Sequence, residues 1–325
     1  MKLHENEQLF RQAVQVTAER MGILNIYIEK DYWVCYALKQ IFDSAIKNEV
    51  IFKGGTALSK CDKFIERFSE DIDLVVIRRE EETGNQLKAK LKKITNEIKV
   101  PFVEVEMEGI TNKMGMIRKI AYNYPKIFKG NYGQVRDVII IEATWLGYFE
   151  PYARKALNTY IYDMMNATNQ TTLAEEYDLL PFEAFILDVE RTLCEKIMSL
   201  VRFSHTEKPI VDLNAKIRHV YDIHQLLKDE TLQKFFTSEA FDTMLLKVAH
   251  DDVKSFKNNN DWLKHHPKEA LIFKSPKETW NQLKDTYQNQ FKFLVYGELP
   301  NEEEVFTTIL KVTERLSLIS WNVAL

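Results

Sequence analysis

The chain has 325 residues, 45% of them hydrophobic and 28% charged, with a net charge of −4 at pH 7. That profile excludes a disordered or fibrous chain, and the near balance of charge excludes a global basic field, so charge alone implies no nucleic-acid partner. The length allows two domains, each with its own core. Cys35, Cys61 and Cys194 lie far apart with no metal-ligand spacing, and so few cysteines point to a reducing compartment. The N-terminus MKLHENEQLF has no apolar signal core, and no apolar run approaches the roughly 20 residues that span a bilayer. The expectation is a cytoplasmic protein with no membrane partner.

Residues 5 to 47 read as two helices. Leu9, Phe10, Val14 and Ala18 recur at helical spacing, Gly22 closes the first helix, and Asn25 caps the second. A short apolar strand, Val50-Ile51-Phe52, leads into Lys53-Gly54-Gly55-Thr56 and a helix over 57–65. Residues 72–77 are the next strand, and the Lys-rich stretch 80–98 is a solvated helix. Strands follow over 100–107, 116–121 and 138–144, with the turn-rich YNYPKIFKGNYG between the last two. Beyond residue 165 helical patterns dominate, over 181–203, 214–228, 232–257, 276–292 and 301–320. The fold class is mixed α/β: a mixed sheet flanked by helices over residues 1–165, then a mainly helical domain over 166–325.

The chemistry concentrates between Gly54 and Asp73. Two glycines let the backbone approach a phosphate with its N–H groups free, the helix behind them adds its positive end, and Thr56 adds a hydroxyl. Asp71 and Asp73 are two apart on a strand, so their side chains leave one face. Two adjacent carboxylates repel unless a cation lies between them, and Mg²⁺ is the oxygen-seeking ion that bridges carboxylates to phosphate. Either element alone is commonly structural. In this order and context they make a site for a metal-bound triphosphate.

Phe52-Lys53-Gly54-Gly55-Thr56-Ala57-Leu58, followed by Arg67-Phe68-Ser69-Glu70-Asp71-Ile72-Asp73-Leu74, resembles the AbiEii/AbiGii toxin family of nucleotidyltransferases, within the DNA polymerase β-like superfamily. Leu193-Cys194-Glu195-Lys196-Ile197-Met198-Ser199-Leu200 and Arg218-His219-Val220-Tyr221-Asp222-Ile223 resemble two further helices of that family. His219 stands where the family usually has Asp, and Ser199 where it usually has Ala. The resemblance covers residues 50 to 228. It implies a nucleotidyltransferase that releases pyrophosphate, with Mg²⁺ (or Mn²⁺) on Asp71 and Asp73, and Lys53, Gly54, Gly55, Thr56, Arg67 and Ser69 binding the nucleoside triphosphate. It further implies the toxin of a toxin–antitoxin or phage-defence pair, a cognate antitoxin protein, and tRNA as acceptor.

Read without the family, Lys196 falls at the edge of an apolar stripe and is ordinarily a surface lysine. The resemblance makes it a cation on the triphosphate. Asp222 reads either as the partner of Arg218, four residues away, or as an active-site carboxylate. Glu142, ending an apolar strand, is either a solvated acid or the superfamily's third carboxylate. Glu190 lies inside an apolar stripe and needs a partner. Lys126 and Lys129, interleaved with Tyr122, Tyr124, Phe128 and Tyr132, and the segment from Arg202 to Lys208, read either as solvated loops or as a grip on single-stranded RNA. The alternatives to RNA transfer are nucleotidylation of a protein hydroxyl and a nucleotide-binding module without turnover.

Overall fold

A computed structural model describes residues 1–133, 135–257 and 259–324. Two compact units emerge. The first comprises Met1–Lys63, Phe68–Trp145 and Tyr152–Leu187; the second comprises Phe64–Arg67, Leu146–Pro151 and Asp188–Leu325.

The first unit opens with α1 (Glu7–Met21), closed by Gly22 in the left-handed conformation at φ 66°. In α2 (Asn25–Phe42) the cap is Leu24, which offers no side-chain bond, and Asn25 is already helical. β1 (Val50–Lys53) runs directly into α3 (Gly54–Ala57), so the helix begins on the glycines rather than after them. A π-helical turn, Leu58–Asp62, follows and ends at Lys63 with φ 53°. Next come β2 (Ile72–Val76), α4 (Gly84–Asn96), β3 (Val103–Val105), β4 (Ile117–Asn123), β5 (Ile139–Thr144), β6 (Tyr152–Leu157), α5 (Tyr160–Ala167), α6 (Thr171–Glu176) and β7 (Phe182–Leu187). The seven strands form one mixed sheet in the order β3-β4-β5-β2-β1-β7-β6. β1 is antiparallel to β2 and parallel to β7, and β2 is parallel to β5. α2 and α4 pack on this sheet. Its central strands are buried on both faces, which is why they read as unbroken apolar runs.

β6, α5, α6 and β7 have no counterpart in the expected elements. Residues 181–203 read as one helix, whereas the chain is extended over Phe182–Leu187 and helical only from Val189. A short apolar run does not declare its own period. Pairing of β7 with β1 decides for strand and carries the first unit to Leu187, past the boundary at 165 that the sequence suggests.

The second unit is helical: α7 (Val189–Phe203), α8 (Pro209–Ala215), α9 (Ile217–Leu226), α10 (Glu230–Phe236), α11 (Glu239–Ser255), α12 (Leu271–Lys274), α13 (Pro276–Asn289) and α14 (Glu302–Ser317). α7 is its spine, packed against α9 and α11, with Leu193, Ile197, Leu200 and Val201 buried. No helix of the described residues is long and apolar enough to cross a membrane.

Candidate active site

Within the first unit, the strand register builds a row of charges across one face. Lys53 of β1 pairs with Asp73 of β2, Asp73 with Glu142 of β5, and Glu142 with Lys119 of β4. Register partners share a face, so the row reads cation, acid, acid, cation. Lys119 donates to Glu142 at 2.7 Å. Asp71 lies one residue before β2 and two before Asp73. Burial first, then the charges of Asp71 and Glu142, pushes the Asp73 carboxyl up to about 7, against the opposing pull of Lys53 and Lys119. Glu142 is therefore no edge-strand acid: its strand lies between β4 and β2.

The glycine turn closes on this carboxylate. Gly54 has φ 85°, and a Cβ there would sit 2.5 Å from Asp73 Oδ2. Thr56 donates its hydroxyl proton to Ser69 Oγ at 3.0 Å, tying the turn to the segment that carries Asp71. Gly54→Ala should therefore strain the backbone by about 1–2 kcal/mol and push Asp73 aside. A lowered melting temperature together with weakened triphosphate binding is the expected result. Wild-type affinity in a folded Gly54→Ala protein would show that the close approach is incidental.

Among the described residues no group of three or more His, Cys, Asp or Glu side chains could hold a metal ion. Asp71 and Asp73 nevertheless suit Mg²⁺. That ion takes one or two carboxylates and completes its shell with water and substrate phosphates. The mutual repulsion that raises Asp73 is what a divalent cation would relieve.

In the second unit, Arg67, Lys196 and Asp222 meet in a buried cluster. Arg67 Nε and Nη2 each donate at 2.7 Å to the two oxygens of Asp222, and Lys196 Nζ donates to Oδ2 at 2.6 Å. The three are 3%, 5% and 0% exposed. Against the upward push of burial, Arg67 and Lys196 hold the Asp222 carboxyl well below the usual carboxylate range. The Arg218 pairing suggested by four-residue spacing gives way to these two partners, and Lys196 is interior, not surface. Arg67, expected on the nucleotide, is engaged with Asp222. The last hundred residues explain its place: Val295 bridges to Arg67, and the amides of Tyr296 and Gly297 donate to Glu66 O. Beside the cluster, burial and then Lys196 drive the His219 imidazole well below its ordinary value.

Other expectations change. Glu190 lies in the first turn of α7 and is only half-buried, with its backbone N–H capped by Asp188. The buried charge of that turn is the next residue, Arg191, held by Glu195 and Asp251. Tyr122 and Tyr124 are buried, and Tyr124 and Tyr132 hydrogen-bond each other at 3.3 Å. Tyr122 and Tyr124 thus pack the interior, while Phe128 and Tyr132 are half-buried. Lys126 pairs with Asp137, and Lys129 is exposed. Sequence reasoning also passes over Glu29-Lys30-Asp31, three adjacent charges in a mostly apolar helix, which are 0%, 0% and 1% exposed. The signal is their position, since a helix this apolar buries most of its faces.

A family model described as nucleotidyl transferase AbiEii toxin, type IV toxin–antitoxin system, matches residues 36–312. No curated protein matches the chain. Among solved structures the chain is similar to MenT4, a nucleotidyltransferase toxin from Mycobacterium tuberculosis H37Rv. The likeness has 15% identity and a TM-score of 0.47 over 94% of this chain and 99% of that one.

Proposed function

The chain belongs to the AbiEii family of nucleotidyl transferase toxins, of the type IV toxin–antitoxin systems, and from that premise we propose a divalent-metal-dependent transfer of nucleoside monophosphate from a nucleoside triphosphate to RNA. The observation that carries this reading is the row of Asp73 and Glu142 between two lysines, with Gly54 closed against Asp73.

Asp71 and Asp73 would hold Mg²⁺. Bound there, it would supply positive charge that offsets the charge of the triphosphate. The glycine turn binds the triphosphate through backbone N–H groups, and Ser69 adds its hydroxyl. Glu142 accepts the acceptor hydroxyl's proton when Lys119 is drawn away, or else stays paired and shapes the field at Asp73. Lys196 stabilises the negative charge that grows on the departing pyrophosphate, and Asp222 orients it.

The acceptor, with tRNA foremost, is held mainly through its phosphates, because Tyr122 and Tyr124 of the 122–133 segment are buried. Such a toxin acts in the cytoplasm, where triphosphates and RNA meet, under the control of a cognate antitoxin. Phage defence is the setting that suits it. The burial of Tyr122 and Tyr124 favours a second reading, transfer to a protein hydroxyl.

One experiment separates these. The protein is incubated with each labelled nucleoside triphosphate, total RNA and an unrelated protein extract, in Mg²⁺ or in chelator. Label on RNA in Mg²⁺ alone is the expected result. Label on protein would move the acceptor to the second reading. Equal labelling in chelator would overturn the carboxylate metal site, and no label anywhere would overturn transfer itself.

A further inference from the structure

Glu29, Lys30 and Asp31 are consecutive in α2, so their side chains leave the helix about 100° apart and fan over more than half its circumference. Each is buried and each reaches a different segment of the first unit. Glu29 accepts from the amides of Ile127 and Phe128 at 2.6 and 3.1 Å. Lys30 donates to Arg136 O at 2.6 Å and lies 3.9 Å from Glu70 Oε1, itself 1% exposed. Asp31 accepts from the amide of Tyr160 at 2.8 Å and forms an ion pair with Lys60. Lys60 in turn lies 3.5 Å from the centroid of the Tyr160 ring, and Tyr160 shares a hydrogen bond with Ser59.

The targets are informative. Glu70 stands between Ser69 and Asp71. Lys60 lies in the π-helical turn that continues from the glycines, a local distortion common near functional sites. α2 does not need charge to stay in place, since Ile26, Ile28, Trp33, Val34 and Leu38 already bury it. Desolvating an ion costs several kcal/mol, which pairing recovers only in good geometry, so buried pairs are weak evidence of stability and better evidence of a specified arrangement.

We propose that Lys30 and Asp31 are positioning residues for the transfer site: Lys30 fixes, through Glu70, the turn that presents Ser69 and Asp71, and Asp31 fixes, through Lys60, the turn behind Gly54 and Gly55. This rests on the reading of Asp71 as a metal ligand. Neither residue touches substrate. Both set where the two phosphate- and metal-binding segments lie with respect to each other.

The test replaces the pair as a unit. Lys30→Met with Glu70→Met removes both charges of the pair together and preserves volume. The expected protein melts close to wild type, keeps its KM for triphosphate, and loses kcat about 10- to 100-fold, as supporting partners of metal ligands do. Hydrogen exchange should quicken in peptides spanning 54–63 and 67–73, and the affinity for Mn²⁺ read by electron paramagnetic resonance should fall. A folded double variant with wild-type kcat, exchange and Mn²⁺ affinity would overturn the proposal. Asp31→Asn with Lys60→Met keeps the bond from the Tyr160 amide and removes both charges of the second pair, so it decides the matter if the first double variant does not fold. Its expected mark is faster exchange over 54–63 with reduced kcat, and wild-type behaviour in both would again overturn the proposal. A wild-type protein that transfers nothing would overturn the functional reading instead, and exchange and Mn²⁺ affinity would still decide this one.

Discussion

Asp73→Asn should reduce transfer by a factor on the order of 10²–10³ or more, and should leave the protein at least as stable as wild type at neutral pH. The side chain keeps its shape and loses a charge that burial, Asp71 and Glu142 all oppose. The sign follows from linkage. The folded carboxyl titrates near 7 and the unfolded one near 3.8, so between those values the folded state binds the extra proton. Wild-type stability without metal therefore falls as pH rises from about 4 to about 7, and the penalty is complete above that. The amide carries no such penalty. Melting temperatures of the two proteins in chelator should coincide near pH 4 and diverge in favour of the variant up to pH 7, with Mg²⁺ narrowing the gap by raising wild type. A variant that melts well below wild type at pH 7 would mean that Asp73 holds the fold together, not a metal.

Arg67→Met and Lys196→Met, which touch the same carboxylate, should fail in different ways. Among the described residues Arg67 makes two hydrogen bonds to Asp222 and Lys196 one, so loss of Arg67 strips a buried carboxylate of its bidentate partner and costs about 3–5 kcal/mol. The depressed pKa of Asp222 stabilises the fold at neutral pH, and that contribution disappears as acid protonates the group. With Arg67 gone the depression shrinks, and acid unfolding should begin at a higher pH than in wild type. Lys196→Met leaves the bidentate Arg67 pair in place. Its stability loss should be smaller, while kcat falls by on the order of 10²–10³ with KM little changed, because a cation aimed at growing charge acts in the transition state. Thermal melts across pH, beside steady-state kinetics, check both. A change in KM alone would assign Lys196 to ground-state phosphate binding. Unchanged kinetics would leave it as a partner of Asp222 and nothing more.

The parts whose signal is local are legible in the chain alone. Gly54-Gly55-Thr56 after an apolar strand, and Asp71-Ile72-Asp73 opening the next, declare their geometry through backbone freedom and two-residue periodicity. The structure keeps both in one unit, tied by Thr56 and Ser69. Most helices are legible for the same reason. The remainder depends on partners distant in sequence, and packing settles it. β7 is a strand because β1 lies beside it. Glu142 joins Asp73 because two parallel strands align them in register. Asp222 takes Arg67, 155 residues away, over Arg218 on its own helix turn, because a bidentate guanidinium in a dry interior outweighs an exposed four-residue pair. Tyr122 and Tyr124 read as surface aromatics among lysines, yet the sheet turns them into its core. Glu29, Lys30 and Asp31 show the limit most sharply: their position in an apolar helix signals burial, and only the segments folded around α2 reveal the partner of each charge.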